Sequence, residues 1–131
     1  MILLDTQLLV WAVEGGERLS RAARAILEDP PDGSPGALLF SPVSVWEVAV
    51  KAALGEPDFA VEPEAFVAAL RAAGLREVAV TARHAVAVYG LPAIHADPFD
   101  RLLVAQARAE GLTLLTADRT LRRYGDPVRL A

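Results

Sequence analysis

The sequence predicts an α/β protein whose sheet is mainly parallel and covered by helices on both faces. Two observations carry this. Short apolar runs, Met1-Ile-Leu-Leu-Asp5, Ala37-Leu-Leu-Phe40, Arg76-Glu-Val-Ala-Val80 and Leu112-Thr-Leu-Leu-Thr116, alternate with stretches of helical periodicity, and strands joined through helices lie parallel. Two of these runs also lead into an acid: Asp5 ends the first, and Asp118 stands just past the end of the Leu112–Thr116 run. In parallel sheets the ligand crevice opens outside the carboxyl ends of the strands, so these two acids are expected to meet on one edge.

The elements follow in order. After Thr6-Gln7, the apolar run Leu8 to Val13 is helical and Gly15-Gly16 breaks it. Leu19 to Glu28 is a second helix, with Ala22, Ala23, Ile26 and Leu27 expected inward and Arg18, Arg21 and Arg24 towards water. Asp29 to Gly36 is a loop by its Pro, Gly, Asp and Ser content. Ser41-Pro42 opens a helix reaching about Leu54, stopped by Gly55 and Pro57, and Pro63 to Ala73 is a helix closed by Gly74. Thr81 caps a helix to about Tyr89, and Gly90-Leu-Pro92 leads on. Asp97 suits an N-cap and Pro98 a first helical residue, in a helix that stops at Gly111. Arg119 to Tyr124 is a short basic helix, and a last strand lies near Pro127 to Leu130.

A chain of 131 residues fits one domain, 1–131. Hydrophobic residues make up 53% of it and mean hydropathy is +0.33, enough for a core and against disorder. Its apolar runs fall short of the ~20 residues of a membrane span, so no membrane association is expected. No basic segment precedes an apolar one at the N-terminus, and there is no cysteine for disulfides or a thiolate metal site; a cytoplasmic setting is expected. A formal charge of −4 argues against binding nucleic acid through bulk charge, though not against a local basic rim. Lys51 is the only lysine.

Four carboxylates carry the functional reading. Asp100 shares a helical stripe with Leu103, Val104 and Ala107, while Arg101, Ala105 and Arg108 lie on the other side. Glu47 shares one with Val43, Val50 and Leu54. A carboxylate on a stripe that faces the sheet needs a partner or a cation. Each acid also has an ordinary structural role open to it. Asp5, Asp97 and Asp118 suit N-caps, Asp100 suits the first turn of a helix, and Glu47 stands four residues before Lys51, the spacing of an ion pair. Jointly, acids crowded together raise one another's pKa values, and a divalent cation removes that penalty. An all-oxygen set suits magnesium or manganese, and the chemistry it predicts is metal-assisted hydrolysis of a phosphoester.

Other constellations are weaker. His84 reads as a helix-surface residue, and His95 as a loop residue near the crevice within reach of substrate. Neither a Gly-x-Ser-x-Gly elbow nor a phosphate-cradling glycine loop is present. Trp11, Trp46 and Phe99 suit the core or an interface. Arg101, Arg119, Arg122 and Arg123 flank the acids, where some can hold a nucleic-acid backbone.

Leu3-Leu-Asp-Thr6, Ser41-x-x-Ser44-x-x-Glu47, His95-x-Asp-Pro-Phe-Asp-Arg-Leu-Leu103-x-Ala-Gln-Ala107 and Leu115-Thr-Ala-Asp118 together resemble the PIN-domain nucleases, most closely the toxin ribonucleases of VapBC-type toxin–antitoxin pairs. The resemblance runs nearly end to end. It implies a three-layer α/β/α sandwich and a magnesium- or manganese-dependent endoribonuclease. Asp5, Glu47, Asp100 and Asp118 match its acidic quartet, Asp97 an accessory acid, and Thr6, Ser44 and Thr116 the small hydroxyl residues that support the carboxylates. It further implies a homodimer and a cognate antitoxin whose tail covers the active site. Gln7 departs from the family, whose members often carry histidine there, at a position that bears on substrate contacts.

Two acid-metal rivals fit less well. A haloacid dehalogenase-type phosphatase needs an aspartate where Gln7 stands, and a receiver domain needs a late lysine, which Lys51 is not. The rival from another class is a non-catalytic α/β module binding nucleic acid or protein, its acids serving only as helix caps.

Overall fold

In the computed structural model, which describes residues 1–131, strands form at Ile2–Leu4 (β1), Leu38–Phe40 (β2), Arg76–Glu77 (β3), Thr113–Thr116 (β4) and Val128–Leu130 (β5). They pair in the order β3-β2-β1-β4-β5, every pairing parallel. The helices are Thr6–Val13 (α1), Arg21–Glu28 (α2), Pro42–Ala53 (α3), Pro63–Ala72 (α4), Ala82–Ala87 (α5), Pro98–Glu110 (α6) and Arg119–Arg122 (α7). None is long and apolar enough to cross a membrane.

The two-residue period of the strands divides the core. Ile2, Leu4, Leu38, Phe40 and Leu115 point to one face, where they meet Leu8 and Leu9 of α1, Ala23 of α2 and Phe66 and Leu70 of α4. Leu3, Leu39 and Leu114 point to the other, against Leu103, Val104 and Ala107 of α6 and Leu121 of α7. The result is an α/β/α sandwich. The chain runs outward from β1 through β2 to β3, then returns past β1 to β4 and β5. That reversal leaves a crevice at the carboxyl ends of β1 and β4, where an open parallel sheet admits a ligand.

Several local expectations are corrected by packing. His84 is not on the surface but 1% exposed, between α5 and α6. Its Nδ1 accepts from the Thr81 N–H (3.0 Å) and its Nε2 lies 2.7 Å from Glu110 Oε1, so both ring nitrogens are satisfied. Ala105, expected towards water, is 1% exposed because α5 covers the outer side of α6. Next to it the buried Gln106 amide donates to Val78 and Ala79 carbonyls. The buried stripe of α3 is Val43, Ser44, Glu47 and Val48; Val50 and Leu54 are exposed. The hydrogen bond from Thr6 Oγ1 to Ser44 Oγ (2.9 Å) sets that rotation by pinning α3 to α1. Trp46 stands 55% exposed with its ring edge-on to Phe99. Ala22 is also exposed, α2 turning only Ala23 fully inward. β3 pairs only through Arg76 and Glu77, and α5 ends at Ala87 in a 3-10 turn over Val88–Gly90.

Gly74 and Gly111 end α4 and α6 with positive φ, 87° and 66°. A Cβ on Gly74 would meet Pro35 Cβ at 2.8 Å, whereas one on Gly111 meets nothing within 4 Å. Gly74→Ala should therefore lower unfolding free energy by about 3 kcal/mol, strain and clash together, and Gly111→Ala by about 1 kcal/mol from strain alone. Urea denaturation of both variants checks this; equal losses would show that the Pro35 contact carries no weight.

Candidate functional site

Local structure delivers each acid to the crevice. Asp5 follows β1 and caps α1, its Oδ1 accepting the Leu8 N–H at 2.9 Å. Its Oδ2 accepts the hydroxyl of Thr116, the last residue of β4. The same Thr116 oxygen accepts the Asp118 N–H at 3.0 Å, so one side chain locks two acids together across neighbouring strands. Asp118 caps α7 through Oδ1, which accepts the Thr120 N–H at 2.8 Å. Asp97 caps α6 through Oδ1 and the Phe99 N–H, also 2.8 Å. Asp100, in the first turn of α6, and Glu47, in mid-α3, come from the helices beside the crevice.

Asp5, Glu47, Asp97, Asp100 and Asp118 line a single cleft of about 250 Å³, with Gln7, Trp11 and Lys51 in its wall. The expected convergence is thus present, and so are the expected caps. The two roles coexist because a cap uses one hydrogen bond of a carboxylate with two oxygens and about four acceptor sites. A larger apolar groove, about 550 Å³, opens beside α1, α2 and α4 and contains none of these five acids.

The electrostatics report the crowding. Burial, with Asp97, Glu47, Asp5 and Asp118 adding repulsion, pushes Asp100 up to about 8. Burial likewise raises Asp5 to about 6; the Thr116 and Leu8 hydrogen bonds oppose the shift, while Glu47 and Asp118 add to it. Burial also acts to raise Asp118, but hydrogen bonds from His95 and the Thr120 backbone outweigh it and hold the group below the usual range. The favourable first-turn position of Asp100 is overridden by burial first and by its neighbours' charge second.

His95 enters this cluster. Its Nδ1 accepts the Asp97 N–H at 3.0 Å, which in the neutral ring leaves the proton on Nε2; Nε2 lies 3.0 Å from Asp118 Oδ2 and 3.5 Å from Asp100 Oδ2. One ligand atom from each of His95, Asp100 and Asp118 lies within 4.8 Å of the other two. The tautomer makes His95 a donor to the acids rather than a lone-pair ligand. Arg101, expected near nucleic acid, is engaged within the chain instead. Its Nη atoms donate to the carbonyls of Pro92 and Val88 and to Tyr124 Oη. Tyr124 Oη also accepts the His95 N–H, so Arg101 steadies the segment that presents His95. Arg119 stands exposed beside Asp118.

The residues fit a divalent cation. Glu47 Oε1 is buried with no hydrogen-bond partner, and the donor set is carboxylate oxygen throughout. Three residues named from the sequence take places in the cleft that the sequence did not assign them. Lys51 projects into it, 2.6 Å from Glu47 Oε2, and two N–H donors in its wall, Gln7 Nε2 and Trp11 Nε1, are buried without acceptors. The four-residue spacing of Glu47 and Lys51 signals the pair but not where it points.

A family model described as the PIN domain matches residues 2–127. The chain belongs to the PIN-domain family. Within it the chain is VapC-like. It is 31% identical over 127 residues to ribonuclease VapC22 of Mycobacterium tuberculosis, covering 96% of this chain and 93% of that one. This PIN domain also shares its fold with VapBC2 from Rickettsia felis, solved bound to a fragment of promoter DNA, at a TM-score of 0.69 and 18% identity over 100% of this chain and 98% of that one. VapC20 of M. tuberculosis, a sarcin-ricin loop cleaving toxin, matches with a TM-score of 0.65 and 16% identity over 95% of each chain.

The raised acids set the pH dependence of the metal-free protein. Folded Asp5 and Asp100 keep protons that an unfolded aspartate, at 3.8, has released. Their contribution to stability is therefore complete below about pH 4 and is lost as pH rises through about 6 and then about 8. In the presence of a chelator the melting temperature should fall between about pH 5 and about pH 8.5, and Asp100→Asn should flatten the upper part of that fall. An unchanged slope in Asp100→Asn, followed by circular dichroism, would contradict the assignment of Asp100.

Proposed function

We propose that this chain, acting as a single domain over residues 1–131, is the endoribonuclease of a toxin–antitoxin pair. Asp5, Asp100, Glu47 and Asp118 would hold a divalent cation, Mg²⁺ or Mn²⁺, with Asp97 accessory to them. The observation that carries this reading is the cleft itself: five carboxylates share it, Glu47 Oε1 has no partner, and Asp100 is driven to about 8. Such an arrangement is costly without a cation and useful with one.

When bound, the ion supplies an activated water and neutralises charge on the scissile phosphate of RNA. The remaining work falls to the chain. Thr116 keeps Asp5 and Asp118 in register, and the Thr6–Ser44 hydrogen bond keeps Glu47's helix against Asp5's. Trp11 Nε1 and Gln7 Nε2 offer N–H groups to substrate oxygens, which supports a substrate contact at Gln7 without histidine. Exposed Arg119 offers a guanidinium to the RNA backbone beside Asp118, and His95 holds Asp118 in place. The VapC22 relationship and the fold shared with VapBC2 support an antitoxin partner; a homodimer acting in the cytoplasm completes the proposal.

The rival reading, a binding module with capping acids, draws on the helix caps at Asp5, Asp97 and Asp118. The two separate cleanly. Asp100→Asn and Asp5→Asn should lose Mn²⁺-dependent RNA cleavage by about a hundredfold or more, with metal-free melting temperatures unchanged or raised. Asp97→Asn should lose under about tenfold, because asparagine caps as well as aspartate. Gel-based cleavage assays alongside thermal melts decide; melting temperatures that drop in both Asp5→Asn and Asp100→Asn would favour the capping module. Trp11→Phe, which removes only the N–H, should raise KM about fivefold with kcat unchanged, and an unchanged KM would remove Trp11 from the substrate site.

A further inference from the structure

We propose that Lys51 is a resident cation of the cleft, its ammonium standing where a second metal ion would otherwise be needed, so that each chain loads one divalent ion. The inference rests on the metal-dependent reading above. It starts from an isolated residue: in a chain whose other basic side chains outside histidine are all arginine, the single lysine stands in the acidic cleft.

Its ammonium is held from four directions. Nζ lies 2.6 Å from Glu47 Oε2 and 3.9 Å from Asp97 Oδ2, and it sits 4.7 Å from the ring centre of Phe59 and 5.9 Å from that of Phe99. The side chain is 22% exposed, unlike a solvated i,i+4 pair, which projects freely into water. Phe59 is buried, so its ring is a fixed wall rather than a mobile neighbour.

The division of charge follows. On the α3 side Lys51 engages Glu47 and approaches Asp97, and on the β4 side His95 donates to Asp118. Glu47 gives Oε2 to the ammonium and keeps Oε1 unpartnered. That leaves Asp5 and one Glu47 oxygen with no basic partner, and Asp100 with only the neutral His95, its Nε2 3.5 Å from Oδ2, a set matched to one divalent ion. A two-ion clamp needs carboxylate oxygens on both sides of the attacked phosphate, and here the α3 side already holds its positive charge. Lysine suits this role better than arginine because its charge is compact, with donors that rotate to meet two carboxylates at different distances. Lys51 also acts as a positioning residue, since fixing Oε2 determines which way Oε1 faces.

Two measurements on the full chain test this. Calorimetric titration of metal-free protein with MnCl₂ should give one ion per chain for the wild type and for Lys51→Arg, and two for Lys51→Met, whose apolar stem still packs on Phe59. Two ions on the wild type, or one on Lys51→Met, would overturn the proposal while leaving the metal-dependent reading intact; no ion on the wild type would overturn both. The second measurement needs no variant. The rate of Lys51 acetylation by an amine-reactive ester, read by mass spectrometry, should change by less than about twofold on saturation with Mn²⁺. A rise of about tenfold would show that the ion displaces Lys51 rather than sharing the cleft with it.

Discussion

Repulsion among carboxylates in a cleft of about 250 Å³ is the constraint around which the rest of this PIN domain is arranged. Like charges at close range in a partly desolvated site cannot all remain ionised without compensation, and here the outcome is graded. Asp118 stays low because His95 and backbone N–H groups hold it, while Asp100, buried and with His95 Nε2 only at 3.5 Å, rises to about 8. The sheet reversal beside β1 brings the acids together, and the hydroxyls of Thr6, Ser44 and Thr116 keep the elements that carry them from drawing apart.

Capping and metal binding are often set against each other as explanations of an acid after a strand. In this chain they are successive uses of the same group. The N–H bonds to Oδ1 of Asp5, Asp97 and Asp118 fix three carboxylates at helix starts, which orients them towards the cleft before any ion is present. Preorganisation of this kind means that an arriving cation meets side chains already ordered, at the cost of apo-state stability. The proposed role of Lys51 extends the same logic: part of the compensation is built into the chain and the remainder is left for an ion.

Much of this was legible in the sequence because it depends on local rules. Proline and glycine punctuate the helices at Pro42, Pro63, Pro98, Gly74 and Gly111, the apolar runs define the strands, and Asp5 and Asp118 fall at strand ends by position alone. The carboxylate of Asp100 stood out because it broke an apolar stripe. What was not legible depended on partners distant in the chain. His84 is buried because Glu110 and the Thr81 N–H satisfy its two nitrogens, Arg101 is occupied by carbonyls of the 88–92 segment, and α3 is rotated by a hydroxyl from α1. The spacing of Glu47 and Lys51 announced an ion pair, yet only the seating of α3 beside Phe59 and Asp97 turned that pair into the cleft.

Anomalous scattering from crystals loaded with Mn²⁺ tests the central claim most directly. The account predicts a manganese peak inside the cleft, bonded to Asp5 and Asp100 and faced by Glu47 Oε1, with the three helix caps unbroken. Manganese found only at surface sites, with the cleft acids instead protonated and paired with one another, would contradict it.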